Sequence, residues 1–146
     1  MLGAAIFLPL LVAICLYALW RGGTDERIVA LTCLGGTFAT LLTVSPLTSR
    51  YTHIEVGLAL VDFVVLAGFV GVALRSSRFW PLWVAGLQLT TALGHGFKAL
   101  DDNLVPGAYG AALQFWSYPI LLILAVGTYR AHQRVQRGAN WNRETA

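Results

Sequence analysis

Gln88, Thr91, His95, Lys98 and Asp102 recur at steps of three and four along the stretch Gln88–Gly107. On a helix these five fall within an arc of about 80° and make one polar face. The opposite side, Leu82, Leu89, Leu93, Phe97 and Leu100, is apolar. Two carboxylates, Glu55 and Asp62, are spaced to share a face of a second helix, and Gln114 marks a third. A carboxylate, an imidazole and an amine set among apolar residues can exchange a proton or hold a small polar or cationic ligand. The candidate ligand- or proton-binding residues are therefore Asp62, His95, Gln88, Gln114, Glu55 and Lys98.

Other chemistries find less support. No positioned nucleophile, HExxH or Gly-rich phosphate loop accompanies the carboxylates, so no catalytic residue is assigned and the pattern leans away from an enzyme. His53, Glu55 and His95 have side chains that suit several metals but lack a tight motif, so no metal site is assigned. Haem ligation by His95, or a quinone-like ligand near Trp116 and Tyr118, has only residue type in its favour, and the cofactor is left unspecified. Cys15 and Cys33 form no metal or redox spacing and read as small packing residues that topology sets near one another.

The elements that must position this face are read from composition and punctuation. Apolar residues make up 57% of the chain and charged ones 12%, against roughly 25% charged in a soluble domain. Apolar runs separated by short polar turns predict an all-α, polytopic membrane protein with spans at about 2–20, 27–45, 54–74, 79–100 and 108–129. All belong to a single membrane domain. The first run reads as a span rather than a cleaved signal, because no Lys or Arg precedes it and Tyr17, Trp20 and Arg21 occupy the cleavage region. Lacking a strong polar group, it is expected to be the most peripheral helix. Thr24 or Asp25 is expected to cap the second helix and Ser77 the fourth. Thr32, Gly35, Gly36, Ala39, Thr40 and Thr43 gather on one side of helix two, the small and hydroxyl residues by which membrane helices approach closely. Residues 130–146 form a basic tail, expected to extend helix five and fray after Gly138.

Five spans place Arg21, Arg27, Arg75, Arg78, Arg130, Arg134, Arg137 and Arg143 on one side and Arg50 and Lys98 on the other. By the positive-inside rule the C-terminus is cytoplasmic and the N-terminus outside, in a cell membrane whose Arg-, Ala- and Leu-rich composition suggests a bacterial inner membrane. Helical rise then sets Asp62 roughly 12 Å, His95 roughly 8 Å, Gln114 roughly 10 Å and Gln88 roughly 18 Å below the outer surface. A charge at that depth needs a partner, and His95 is the first choice for Asp62, with Lys98 and the two glutamines next.

Two functions follow. One is a small membrane protein acting by association, as a homo-oligomer or as a subunit or modulator of a larger membrane complex. The other is a small transporter or proton-linked carrier with an outward-facing polar cavity around Asp62 and His95. The plainest alternative to either site is a hydrogen-bond knot that pins helices three, four and five. The expected partners are the lipid bilayer, other membrane subunits and a small polar or cationic ligand. No basic face interleaved with aromatics suggests nucleic acid.

Overall fold

The computed structural model describes the backbone of residues 2–44, 51–100 and 106–144 and the side chains of residues 6–43, 57–94 and 115–141. These residues form five α-helices: α1 (Leu2–Arg21), α2 (Thr24–Val44), α3 (Tyr51–Arg75), α4 (Trp80–Leu100) and α5 (Pro106–Glu144). Each helix packs on its neighbour in sequence and α5 returns to α1, so the five close into a ring, with α2 and α5 also meeting across it. Helix α5, at 39 residues, is about 58 Å long and extends beyond its neighbours. It runs through Gly138 rather than fraying there, since Gly138 is exposed and a helix interior tolerates an exposed glycine at a cost of about 1 kcal/mol.

Small residues set the α2–α3 contact. A Cβ added at Gly36 would lie 2.5 Å from Val65, one at Gly68 would lie 2.9 Å from Thr32, and one at Gly57 would lie 2.7 Å from Thr43. The three pairs ascend on one helix as they descend on the other, so α2 and α3 run antiparallel with three glycines at the contact. Threonine hydroxyls on these and other helices are satisfied internally: Thr32, Thr43, Thr90, Thr91 and Thr128 each donate to the carbonyl four residues back. Such bonds let a hydroxyl sit in apolar surroundings without water.

The core is built from Leu11, Cys15 and Ala18 of α1, Val29 and Ala30 of α2, Val65, Phe69 and Val72 of α3, Val84 and Ala85 of α4, and Ile120, Leu121 and Leu124 of α5. Helix α1 packs on α2 and α5 and is the most lightly packed of the five, as expected, yet it contributes three side chains to this core. It approaches both because Cys15 and Ala18 are small, and Phe7 meets Tyr118 edge-on at 5.4 Å. Cys15 and Cys33 do adjoin, between α1 and α2, and neither is in a disulfide.

Many of the largest apolar side chains point outward. Phe38, Leu42, Leu60, Phe63, Val64, Leu74, Leu82, Leu93 and Leu122 are exposed on four different helices, while several buried positions are polar or small. Among the described residues one segment, Gly57–Arg75, is long and apolar enough to cross a membrane, and Ile6–Arg21 is a shorter apolar stretch. Helix α2 falls short because it carries Asp25, Glu26 and Arg27 in its first turn and five threonines along its length.

Candidate functional site

A half-open cavity of about 370 Å³ enters the ring, and all five helices contribute to its wall. Its wall is mainly apolar, with Phe7 and Leu11 from α1, Val65 and Phe69 from α3, and Ile120 and Leu121 from α5. Its polar groups are Thr37 and Thr40 on α2, Asp62 on α3, Gln88 and Thr91 on α4, and Ser117 on α5. A mostly apolar volume of this size with a few convergent polar groups is the ordinary form of a small-molecule site.

At its polar wall the Gln88 amide Nε2 donates to Asp62 Oδ1 at 2.9 Å. Gln88 is 6% exposed and Thr91 is also buried, so this part of the α4 polar face turns inward, with Leu82, Leu89 and Leu93 turned out. Helix α3 begins at Tyr51, three residues before the expected start at Ile54. Asp62 lies roughly 16 Å along its helix and Gln88 roughly 18 Å from the far end of α4, and the hydrogen bond between them sets the two at one level. An amide N–H donated to a carboxylate in apolar surroundings fixes the carboxylate's orientation and contributes about 1.5–3 kcal/mol when the acceptor is charged. Of the six candidate residues, Asp62 and Gln88 are brought together at the cavity. The side chains of His95, Lys98, Glu55 and Gln114, and of His53, lie outside the described residues.

A second polar cluster ties one end of the bundle together. The carboxylate of Glu26 is fully buried, accepts from the backbone N–H of Gly23 at 3.0 Å, and pairs with Arg78 Nη1 at 2.6 Å. Gly23 is the N-cap of α2 and Glu26 the third helical residue, the reach-back half of a capping box. This corrects the expected cap at Thr24 or Asp25. It also explains why α2 starts at Thr24 rather than near Arg27, since the reach-back secures the first turn. Asp25 instead accepts from the Ser76 hydroxyl at 2.7 Å, and Ser76 Oγ accepts from the Arg78 backbone N–H, so Ser76 rather than Ser77 organises the α3–α4 turn. Arg21 Nη1 lies 2.9 Å from His132 Nε2, which joins α1 to α5 at the same end.

A groove of about 460 Å³ between α4 and α5 lies beside this cluster, lined by Arg78, Arg130 and Arg134 together with Trp80, Trp83, Leu122 and Val126. The Trp80 ring stacks closely on Gly127, where a Cβ would lie 3.3 Å from it. Neither the buried Glu26 nor the groove is foreseen from sequence. A glutamate in a first helical turn is usually solvated, and the one signal was its position three residues after a Gly-Gly turn.

The described residues form an all-helical ring of five members with a small-molecule-sized cavity that holds a carboxylate. No protein-family model, no curated protein sequence and no solved structure matches the chain.

Proposed function

We propose that this chain is a small multi-pass membrane protein that binds a ligand in its interior cavity, with Asp62 as the recognising group, and moves it in exchange for a proton. The ligand is a mainly apolar molecule with one cationic or hydrogen-bonding group. The cavity at the Asp62–Gln88 pair carries the reading: its wall suits an apolar body and its carboxylate suits a cation or donor. Gln88 positions Asp62; Thr91 and Ser117 supply further hydroxyls.

Membrane residence is supported by the outward Leu, Phe and Val side chains, which far exceed the apolar patches of a water-soluble monomer, and by the self-satisfied threonines. Exposed Trp20, Phe79 and Trp83 lie at the end that carries Arg21, Arg75 and Arg78, as an interfacial belt would on the cytoplasmic side. A reporter fused after Ala146 should be active only in the cytoplasm, and Asn103→Cys should be labelled by an impermeant reagent from outside. The reverse pattern would invert the orientation.

The carrier reading is tested with ethidium in proteoliposomes under an imposed pH gradient. Wild-type protein should drive uptake, Asp62→Asn should abolish it without loss of folded protein, and Gln88→Leu should lower it several-fold. Normal flux through Asp62→Asn would remove the reading.

A second reading, action by association, is favoured by Gly35, Gly71 and Gly86. These glycines face outward with open space beside them, room for a second copy or another membrane subunit to approach. Gly35→Leu should then alter the oligomeric state in detergent. An unchanged mass for the solubilised particle would count against association through that face.

A further inference from the structure

We propose that the groove between α4 and α5 is a binding site for an anionic phospholipid, whose phosphate sits between Arg130 and Arg134 and whose acyl chains follow the apolar wall. The inference rests on the membrane reading above, in which this end of the bundle meets the cytoplasmic leaflet, and adds to it the class of lipid and the residues that select it.

Charge carries the argument. Arg130 and Arg134 stand four residues apart on α5, so their guanidinium groups share one helical face and repel each other. Both are exposed and both line the groove, and among the described residues neither forms an ion pair and no carboxylate lines the groove: Glu26 is buried against Arg78 and Asp25 accepts from Ser76. The rim therefore holds two uncompensated positive charges, with Arg78 beside them held in place by Glu26. A phosphate diester offers the oxygens that a guanidinium fork binds and relieves the repulsion.

Shape supplies the rest. Trp83, Leu122 and Val126 are exposed along the same groove, and Trp80 is pressed against Gly127 so that the cleft stays open below the arginines. A free phosphate ester would use the arginines and leave this wall in contact with water. A diacyl lipid covers both. Basic pockets between helices on the cytoplasmic side are suited to anionic headgroups for this reason.

The test is native mass spectrometry of the full chain in nonionic detergent, titrated with phosphatidylglycerol, with phosphatidylcholine and with glycerol 3-phosphate. The expected result is preferential retention of phosphatidylglycerol and none of glycerol 3-phosphate. Removing two charges by Arg130→Gln/Arg134→Gln should weaken phosphatidylglycerol binding roughly tenfold or more. The charge-matched Arg27→Gln/Arg137→Gln, whose residues do not line the groove, should leave it within about twofold. Equal retention of the two lipids, equal effects of the two double variants, or binding of glycerol 3-phosphate at lipid concentrations would each overturn the proposal. Membrane fractionation of the same variants separates this outcome from failure of the membrane reading: wild-type chain recovered outside the membrane fraction refutes that reading instead.

Discussion

Arg78→Ala is expected to destabilise the folded chain by about 3 kcal/mol, the largest effect of any single substitution argued from this structure. Glu26 is 0% exposed, and Arg78, at 34% exposed, is its charged partner at 2.6 Å. Truncating the arginine leaves a carboxylate buried with only the Gly23 N–H to oppose its charge. Breaking a buried ion pair from one side costs about 3–5 kcal/mol, and the partial exposure of Arg78 places this case at the lower end. The prediction carries its own control. Glu26→Gln preserves a reach-back side chain and removes the charge, so the double variant Glu26→Gln/Arg78→Ala should recover most of the loss. Unfolding midpoints in detergent for the four proteins close the cycle. If the double variant is as unstable as Arg78→Ala, the buried charge is not the cause.

Gly36→Val is the second large effect, an expected loss of about 1–3 kcal/mol from overpacking at the α2–α3 contact. The new Cβ alone would lie 2.5 Å from Val65 Cγ2, and Val65 is 9% exposed within the same core as Phe69, which limits its retreat. Unless Val65 turns into the cavity that it and Gly36 both line, the helices part, and the contacts of Thr32 with Gly68 and Thr43 with Gly57 loosen with them. Val65→Ala should rescue Gly36→Val by making room. The adjacent Gly35→Val is the sharper comparison, because nothing lies within 4 Å of its added Cβ. The same change one residue away should be close to neutral for the fold. Equal melting temperatures for Gly35→Val and Gly36→Val would contradict this packing.

These two sites differ in how far the sequence announced them. Gly36 was legible, since a helix that gathers Thr32, Gly36 and Thr43 on one side has little to offer except close packing. The five helices were legible too, because each apolar run ends at a proline, a Gly-Gly pair or a cluster of charges. Glu26 was not, because burial of a first-turn carboxylate depends on an arginine 52 residues away and no local pattern encodes that encounter. The share of α1 in the core was hidden for a related reason: an uncharged helix reads the same on every side, and the small size of Cys15 and Ala18, rather than any polarity, lets it approach.

The candidate site stands between these cases. Periodicity alone puts Gln88 and Thr91 on one face of α4 and marks Asp62 as a group that must be sheltered. Their pairing depends on how α3 and α4 stand beside each other, a register that the periodicity of neither helix encodes. Depth is a sum over every residue from the helix end, so it is the quantity most sensitive to an error in a boundary. The apolar wall contributed by α1 was not legible, because nothing in an uncharged run says which of its faces turns to the cavity.

The central claim is that the cavity beside Asp62 and Gln88 is a ligand site rather than a packing defect. Its most direct test is native mass spectrometry of the full chain isolated under gentle conditions, wild type beside Asp62→Asn. The account predicts a chain that carries a stoichiometric small-molecule adduct in the wild type and loses it in the variant while remaining folded. A chain without any adduct, recovered only as a fixed oligomer or with a partner subunit in both proteins, would contradict it and leave Asp62 and Gln88 as a structural bond within an assembly.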